Sequence, residues 1–155
     1  MTARVAASRR RSREAALQVL YAVDLAEGAA AESAAGDGSR LLAAEAFENA
    51  AAHLELPPAA RTFARELVSG VTEHRAKLDQ LVGAHSTRWR IDRMAAVDRN
   101  ILRLAAYETV YTDTPAAVVI DQAVDLASRF GGERSSGFVN GILDALARRV
   151  RGDDG

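Results

Sequence analysis

Arg9-Arg10-Arg11-Ser12-Arg13, with Arg4 upstream, sets five guanidinium groups within thirteen residues that contain no acid. A guanidinium stays charged at any physiological pH and presents a planar fork of donors that matches phosphate oxygens. Such a cluster suits recognition of a polyanion far better than proton transfer or nucleophilic attack. The chain as a whole is near neutral, at formal net charge −1, with 20 basic and 21 acidic side chains over 155 residues. Because the first thirteen residues take five of those bases and no acid, the remainder is acidic. Positive charge concentrated at one end of an acidic body points to nucleic-acid phosphates. A solubilising tail is the bland alternative, but this run continues directly into a helical pattern.

Other chemistry is sparse. His53, His74 and His85 show no metal-ligand spacing such as HExxH, and His74 falls on an apolar seam as a core or interface histidine. No GxxxxGK[ST], GxGxxG or GxSxG motif is present. Gly131-Gly132-Glu133-Arg134-Ser135-Ser136-Gly137 reads first as a helix stop followed by a helix start, with Arg134 placed to assist a phosphate at that start. Glu108 shares a face with Ile101, Leu104 and Tyr111 and needs a partner if it is semi-buried. Asn140 falls opposite the Phe138, Ile142, Leu146 stripe. No catalytic residue, metal site or cofactor is expected. Zero cysteines exclude disulfides and thiolate metal sites. No apolar run approaches the roughly 20 residues of a membrane span, and the charged N-terminus lacks a signal-type apolar stretch. A soluble cytoplasmic protein is expected.

The elements that must carry the arginines are helices. From about Ser8 to Glu27 the apolar positions Ala16, Leu17, Val19, Leu20, Tyr21 and Val23 form one broad stripe, and Gly28 is expected to end it. At 100° per residue Arg9, Arg10 and Arg13 fall on the side of Leu17, Leu20 and Tyr21, so the first turns should overhang the core. Residues 29–39 are expected to be loop and 41–54 a second helix. Pro57-Pro58 opens a third, with a seam of Phe63, Leu67, Val71, His74, Leu78 and Leu81 and with Gly70 marking a close helix approach. Arg88 to Arg93 forms a charged junction with Trp89 as its anchor. Further helices are expected over about 94–111, 116–130 and 138–150. The 116–130 helix should bury Val119, Ile120, Ala123, Leu126 and Phe130, and Ser135 or Ser136 should cap the last helix. This is an all-α chain of about seven helices.

In order, Arg9 to Tyr21, Phe63 to Val71, Trp89 and Arg93, Val97 to Arg103 with Tyr107-Glu108, Ile120 to Ala127 and Phe138 to Asp144 resemble the NusB family of transcription antitermination factors. The resemblance spans nearly the whole chain except residues 29–40 and the C-terminal tail. It implies two small packed helical bundles in one domain, lobes of about 8–85 and 86–151. It also implies pairing with NusE, a small-subunit ribosomal protein, and binding of single-stranded boxA-type RNA in ribosomal RNA leader transcripts. Other Nus factors and RNA polymerase would be met indirectly, and the free chain would be a monomer or a homodimer.

By the same resemblance, Arg9, Arg10, Arg11 and Arg13 contact RNA, joined by Arg134, Ser136 and Phe138, while Tyr21 and Asp98 meet the protein partner. Two positions depart from the family pattern. Gln122 stands where glutamate is common, and Arg134 stands in a segment that is often acidic. The alternatives are a helical protein-interaction scaffold and the RNA-binding domain type found in ribosomal-RNA cytosine methyltransferases.

Overall fold

The computed structural model describes residues 3–32, 45–49, 55–87 and 89–152. All regular structure among them is helical: α1 (Ala3–Glu32), α2 (Pro58–Glu73), α3 (Arg75–Ala84), a 3-10 turn (Ile91–Arg93), α4 (Ala96–Tyr111), α5 (Ala116–Phe130) and α6 (Ser135–Arg151). With the helical residues 45–49 these give seven α-helices among the described residues, the all-α fold expected. The chain divides into two compact units between Glu73 and His74, whereas the lobe boundary expected from the sequence lies near residue 85. None of the described helices is long and apolar enough to cross a membrane.

In the first unit α1 packs against α2. The buried stripe of α1 comprises Ala15, Ala16, Leu17, Val19, Leu20 and Val23, and α2 contributes Ala60, Phe63, Ala64, Leu67, Val68 and Val71. Gly70 lies on the same buried face. The helix does not stop at Gly28. Glycine costs about 1 kcal/mol relative to alanine in a helix, but the flanking alanine, leucine and glutamate residues are strong helix formers and no proline intervenes. Of the expected loop and second helix, residues 33–44 and 50–54 lie outside the described residues. Residues 45–49 are helical, with Phe47 buried. Proline opens α2 where its missing N–H costs nothing, and the Pro57 carbonyl accepts the Arg61 N–H at 2.9 Å.

The expected single helix through Leu81 is broken at His74, where the backbone turns to φ −105°, ψ 17°. Its seam stays in phase across the break, so spacing alone could not reveal it. The His74 ring belongs to the second unit, stacked on Tyr111 at 4.1 Å between centroids, with Tyr107 5.4 Å beyond. There α3 packs on α4, and α4, α5 and α6 pack on one another. Arg103 of α4 donates to both carboxylate oxygens of Asp79 on α3, at 2.7 and 3.0 Å, and to the Asn100 side-chain oxygen at 3.3 Å.

Arg151, on the last turn of α6, donates to the carbonyls of Glu108, Thr109, Thr112 and Thr114. A cation thus satisfies the orphan acceptors where α4 ends and turns into α5. Glu108 is fully buried rather than semi-buried. The bounds of α5 agree with the expectation, but Ile120 is half-buried and Phe130 exposed rather than core. Phe130 is the last residue before Gly131, where the helix leaves the packed face. α6 begins three residues earlier than expected, at Ser135, whose hydroxyl accepts the Gly132 N–H at 2.8 Å and folds the connection back on itself.

Candidate nucleic-acid interface

α1 presents its arginines in two ways. Arg9 lays its guanidinium 3.8 Å from the centre of the Phe63 ring, and Arg13 lies 5.5 Å from it on the same ring. Arg13 is only 5% exposed. The expectation that these turns overhang the core therefore fails for Arg13. An arginine can be buried among leucines when its stem packs and its head meets a π face. Arg10 and Arg11 are exposed on the outer side of the helix, and Arg9 is half-exposed. Ser12 anchors the segment. It is fully buried, with its hydroxyl 2.8 Å from the Ala60 carbonyl on α2 and 2.9 Å from the Ser8 carbonyl. Helical phasing puts Ser12 at the centre of the Ala16, Val19, Val23 stripe, a signal the charge pattern masked.

Tyr21 and Leu25, one turn apart on α1, are both exposed. Together they leave an apolar patch farther along the helix that carries Arg10 and Arg11.

In the second unit the turn before α4 and the start of α6 border a groove of about 550 Å³ lined by Trp89, Arg93, Asp98, Arg134 and Phe138 among others. Trp89 is 53% exposed, so the residue expected to anchor the junction is instead displayed. Asp98 on the first turn of α4 has its Oδ1 buried with no hydrogen-bond partner. Arg134 and Phe138, four residues apart, meet in this groove. Ser136, two residues from each, opens onto a different depression with Asp121, Asp125 and Asn140. The structure therefore brings Arg134, Phe138 and Asp98 together and separates Ser136 from them. Arg88 lies outside the described residues.

Among the described residues no group of histidine and carboxylate side chains could hold a metal ion. What the two surfaces offer is charge and exposed aromatic faces. Residues 10–148 match the NusB family. The chain belongs to the NusB family. A transcription antitermination protein NusB from Myxococcus xanthus (strain DK1622) is 45% identical over 141 residues, covering 90% of this chain and 94% of that protein. The NusB structure from T. maritima superposes with a TM-score of 0.74 at 33% identity, covering 90% of each chain. A chain from a crystal structure of antitermination factors NusB and NusE in complex with dsRNA gives a TM-score of 0.76 at 27% identity, over 92% of this chain and 97% of that one. Trp89, Arg93, Asp98 and Phe138 all fall inside the segments on which the NusB resemblance rested, but their shared groove was not visible in them.

Proposed function

We propose that this NusB-family chain is a transcription antitermination factor that acts by assembly rather than catalysis, binding boxA-type leader RNA together with NusE in the cytoplasm. The observation that carries this reading is the arginine face of α1. Arg10 and Arg11 are exposed beside Arg9, and the helix bearing them is pinned through Ser12 to α2. Phosphates of the RNA would meet Arg9, Arg10 and Arg11, with Arg13 holding the helix in place from beneath. The Tyr21 and Leu25 patch is suited to the protein partner, since exposed apolar side chains in close register gain from burial.

Double-stranded RNA is recognised mainly through shape, whereas sequence is read from splayed bases of single strands. The exposed Trp89 and the adjacent Phe138 favour the second mode, with Arg134 supplying charge beside them. Membership of a family whose relatives are named antitermination proteins supports the same assignment.

The test is fluorescence anisotropy of a labelled boxA-type RNA titrated with the chain, with and without NusE, across a salt series. Binding should tighten with NusE and weaken with salt by about −0.7 in slope per phosphate contacted. No RNA binding in either condition would overturn the proposal.

A further inference from the structure

Three rings stack at the C-terminal end of α4. His74, at the break between α2 and α3, lies 4.1 Å from Tyr111 between centroids. Tyr107, one turn before Tyr111 on α4, lies 5.4 Å from it. The planes are tilted by only 20° to 27° from one another. His74 and Tyr107 are themselves 6.4 Å apart. Rings on opposite faces of a third would stand about 7 Å apart or more, twice the carbon contact distance of about 3.5 Å. His74 and Tyr107 therefore share one face of Tyr111, and no ring among the described residues covers the other. All three side chains are half-buried, so the stack reaches the surface.

Lys77, on the first turn of α3, holds its ammonium 5.5 Å from the Tyr111 centroid. It is exposed and faces no carboxylate among the described residues. A cation–π contact at such an exposed site is weak and the lysine stem is flexible, so a planar ligand displaces the ammonium readily. Packing of α3 on α4 accounts for the buried edges of the rings but gives the open face and the lysine no role. A flat π system for that face and an anion for the displaced ammonium are the two halves of a nucleotide.

We infer that this stack is a second, sequence-tolerant contact for single-stranded RNA, in which one base lies on the open face of Tyr111 and Lys77 moves to its phosphate. This rests on the RNA-binding reading of the chain. None of the four residues lines the groove at Trp89. At about 1.5 Å per helical residue, Tyr111 lies about 20 Å along α4 from Asp98. The nucleotide held by the stack is thus a different one from any that meets the groove. Only RNA long enough to reach it gains the contact. Ring stacking accepts every base, so the contact adds affinity without adding sequence preference.

The experiment records anisotropy of a boxA-type RNA with the full chain, the RNA being used alone or with a long single-stranded uridine tail at either end. One tailed RNA should bind about tenfold tighter than the untailed RNA, the size expected of a single stacked base. Tyr111→Leu should abolish that gain and leave the untailed affinity unchanged, whereas Tyr111→Phe should keep it. Lys77→Ala, a surface change, should reduce the magnitude of the salt slope by about 0.7 for the tailed RNA alone. Circular dichroism of each variant should match the parent. With 5-iodouridine in the tail, irradiation should cross-link the RNA to Tyr111 or His74, read by peptide mass spectrometry.

Untailed RNA that binds while neither tail adds affinity would overturn the stack as an RNA contact and leave RNA binding itself intact. A gain that survives Tyr111→Leu would overturn it too. Weaker binding of NusE by Tyr111→Leu, with RNA affinity unchanged, would assign the rings to protein and overturn it equally. Absence of all RNA binding would sink the broader proposal, and the stack with it.

Discussion

Arg9 rests its guanidinium against the face of Phe63, 3.8 Å from the ring centre, so a core aromatic on α2 fixes the direction of a charged group on α1. Phe63 is itself buried, at 8% exposure. One ring therefore serves the packing of the first unit and also carries the guanidinium groups of Arg9 and Arg13. Replacing it by leucine keeps most of the apolar volume and removes the π face. Phe63→Leu should cost about 1 kcal/mol or slightly more in stability, as volume-conserving core changes do. RNA affinity should fall several-fold while the salt slope stays unchanged, because no charge is lost. Urea denaturation and salt-series anisotropy measure the two effects. A changed slope with unchanged affinity would contradict the orienting role.

The two classes of arginine on α1 should separate cleanly in experiment. Arg10 and Arg11 are exposed, whereas Arg13 is buried against Phe63. Changing Arg10 and Arg11 together to alanine should reduce the magnitude of the salt slope by about 1.4, the equivalent of two single-strand phosphate contacts, with Tm nearly unchanged. Arg13→Ala should lower Tm instead, through lost stem packing and the lost cation–π contact, worth about 0.5–2 kcal/mol. Equal effects of both variants on Tm would show that the burial of Arg13 carries no energetic weight.

Much of this arrangement was legible in sequence. Pro115 and Gly131-Gly132 bound α5 to the residue, and apolar spacing places α1 and α2 on their buried faces, because a helix repeats every 3.6 residues and its stripe is local information. What spacing could not supply was contact between distant segments. Ser12 meets a carbonyl 48 residues away, and Arg151 reaches acceptors 37 to 43 residues back. Trp89 misled for the complementary reason. Its size suggests burial, but the extended Arg90 and the 3-10 turn after it leave the indole displayed. The positions expected to bind RNA were named individually, yet only the fold decides that Arg134 and Phe138 share a groove and Ser136 does not.

The Arg103 and Asp79 pair gives the second unit a polar brace between α3 and α4. Arg103 is nearly buried, with 6% of its side chain exposed, and Asp79 is at 25%. Removing one partner strands the other, whereas removing both does not. Arg103→Met should cost about 3 kcal/mol, and adding Asp79→Leu should restore more than half of that. Chemical denaturation of the two single variants and the double variant completes the cycle. Additive losses would show that the brace contributes no coupling.

Arg151 should matter beyond its position near the end of the last helix. Its guanidinium serves four backbone carbonyls around the turn from α4 to α5, a geometry that a lysine ammonium cannot reproduce. Arg151→Ala should lower stability by about 2 kcal/mol, given that the carbonyls are part-buried and become partly hydrated. Arg151→Lys should recover only a minor share. Hydrogen exchange should quicken in the turn around Thr112 and Thr114 before it quickens elsewhere in the unit. A lysine variant as stable as the parent would show that a point charge at the helix end suffices.

Gly131 links stability to the groove. A methyl group there would lie 2.6 Å from both Cβ and Oγ of Ser135 and 2.7 Å from the Ala127 carbonyl oxygen. The last of these is helical backbone and cannot swing aside, so the connection itself must move. That connection holds Gly132 through the Ser135 hydroxyl and leads straight into Arg134. Gly131→Ala should therefore cost about 1–3 kcal/mol, as overpacking does, and should also shift Arg134 relative to Trp89. The expected signature is a lower Tm, together with a change in the Trp89 emission maximum of the free protein. Gly132→Ala is the control, because a methyl there meets only the Ser135 hydroxyl at 3.8 Å and should leave both readouts close to the parent. Matching losses in the two variants would place the constraint in chain flexibility rather than in the close approach of Gly131 to α5 and α6.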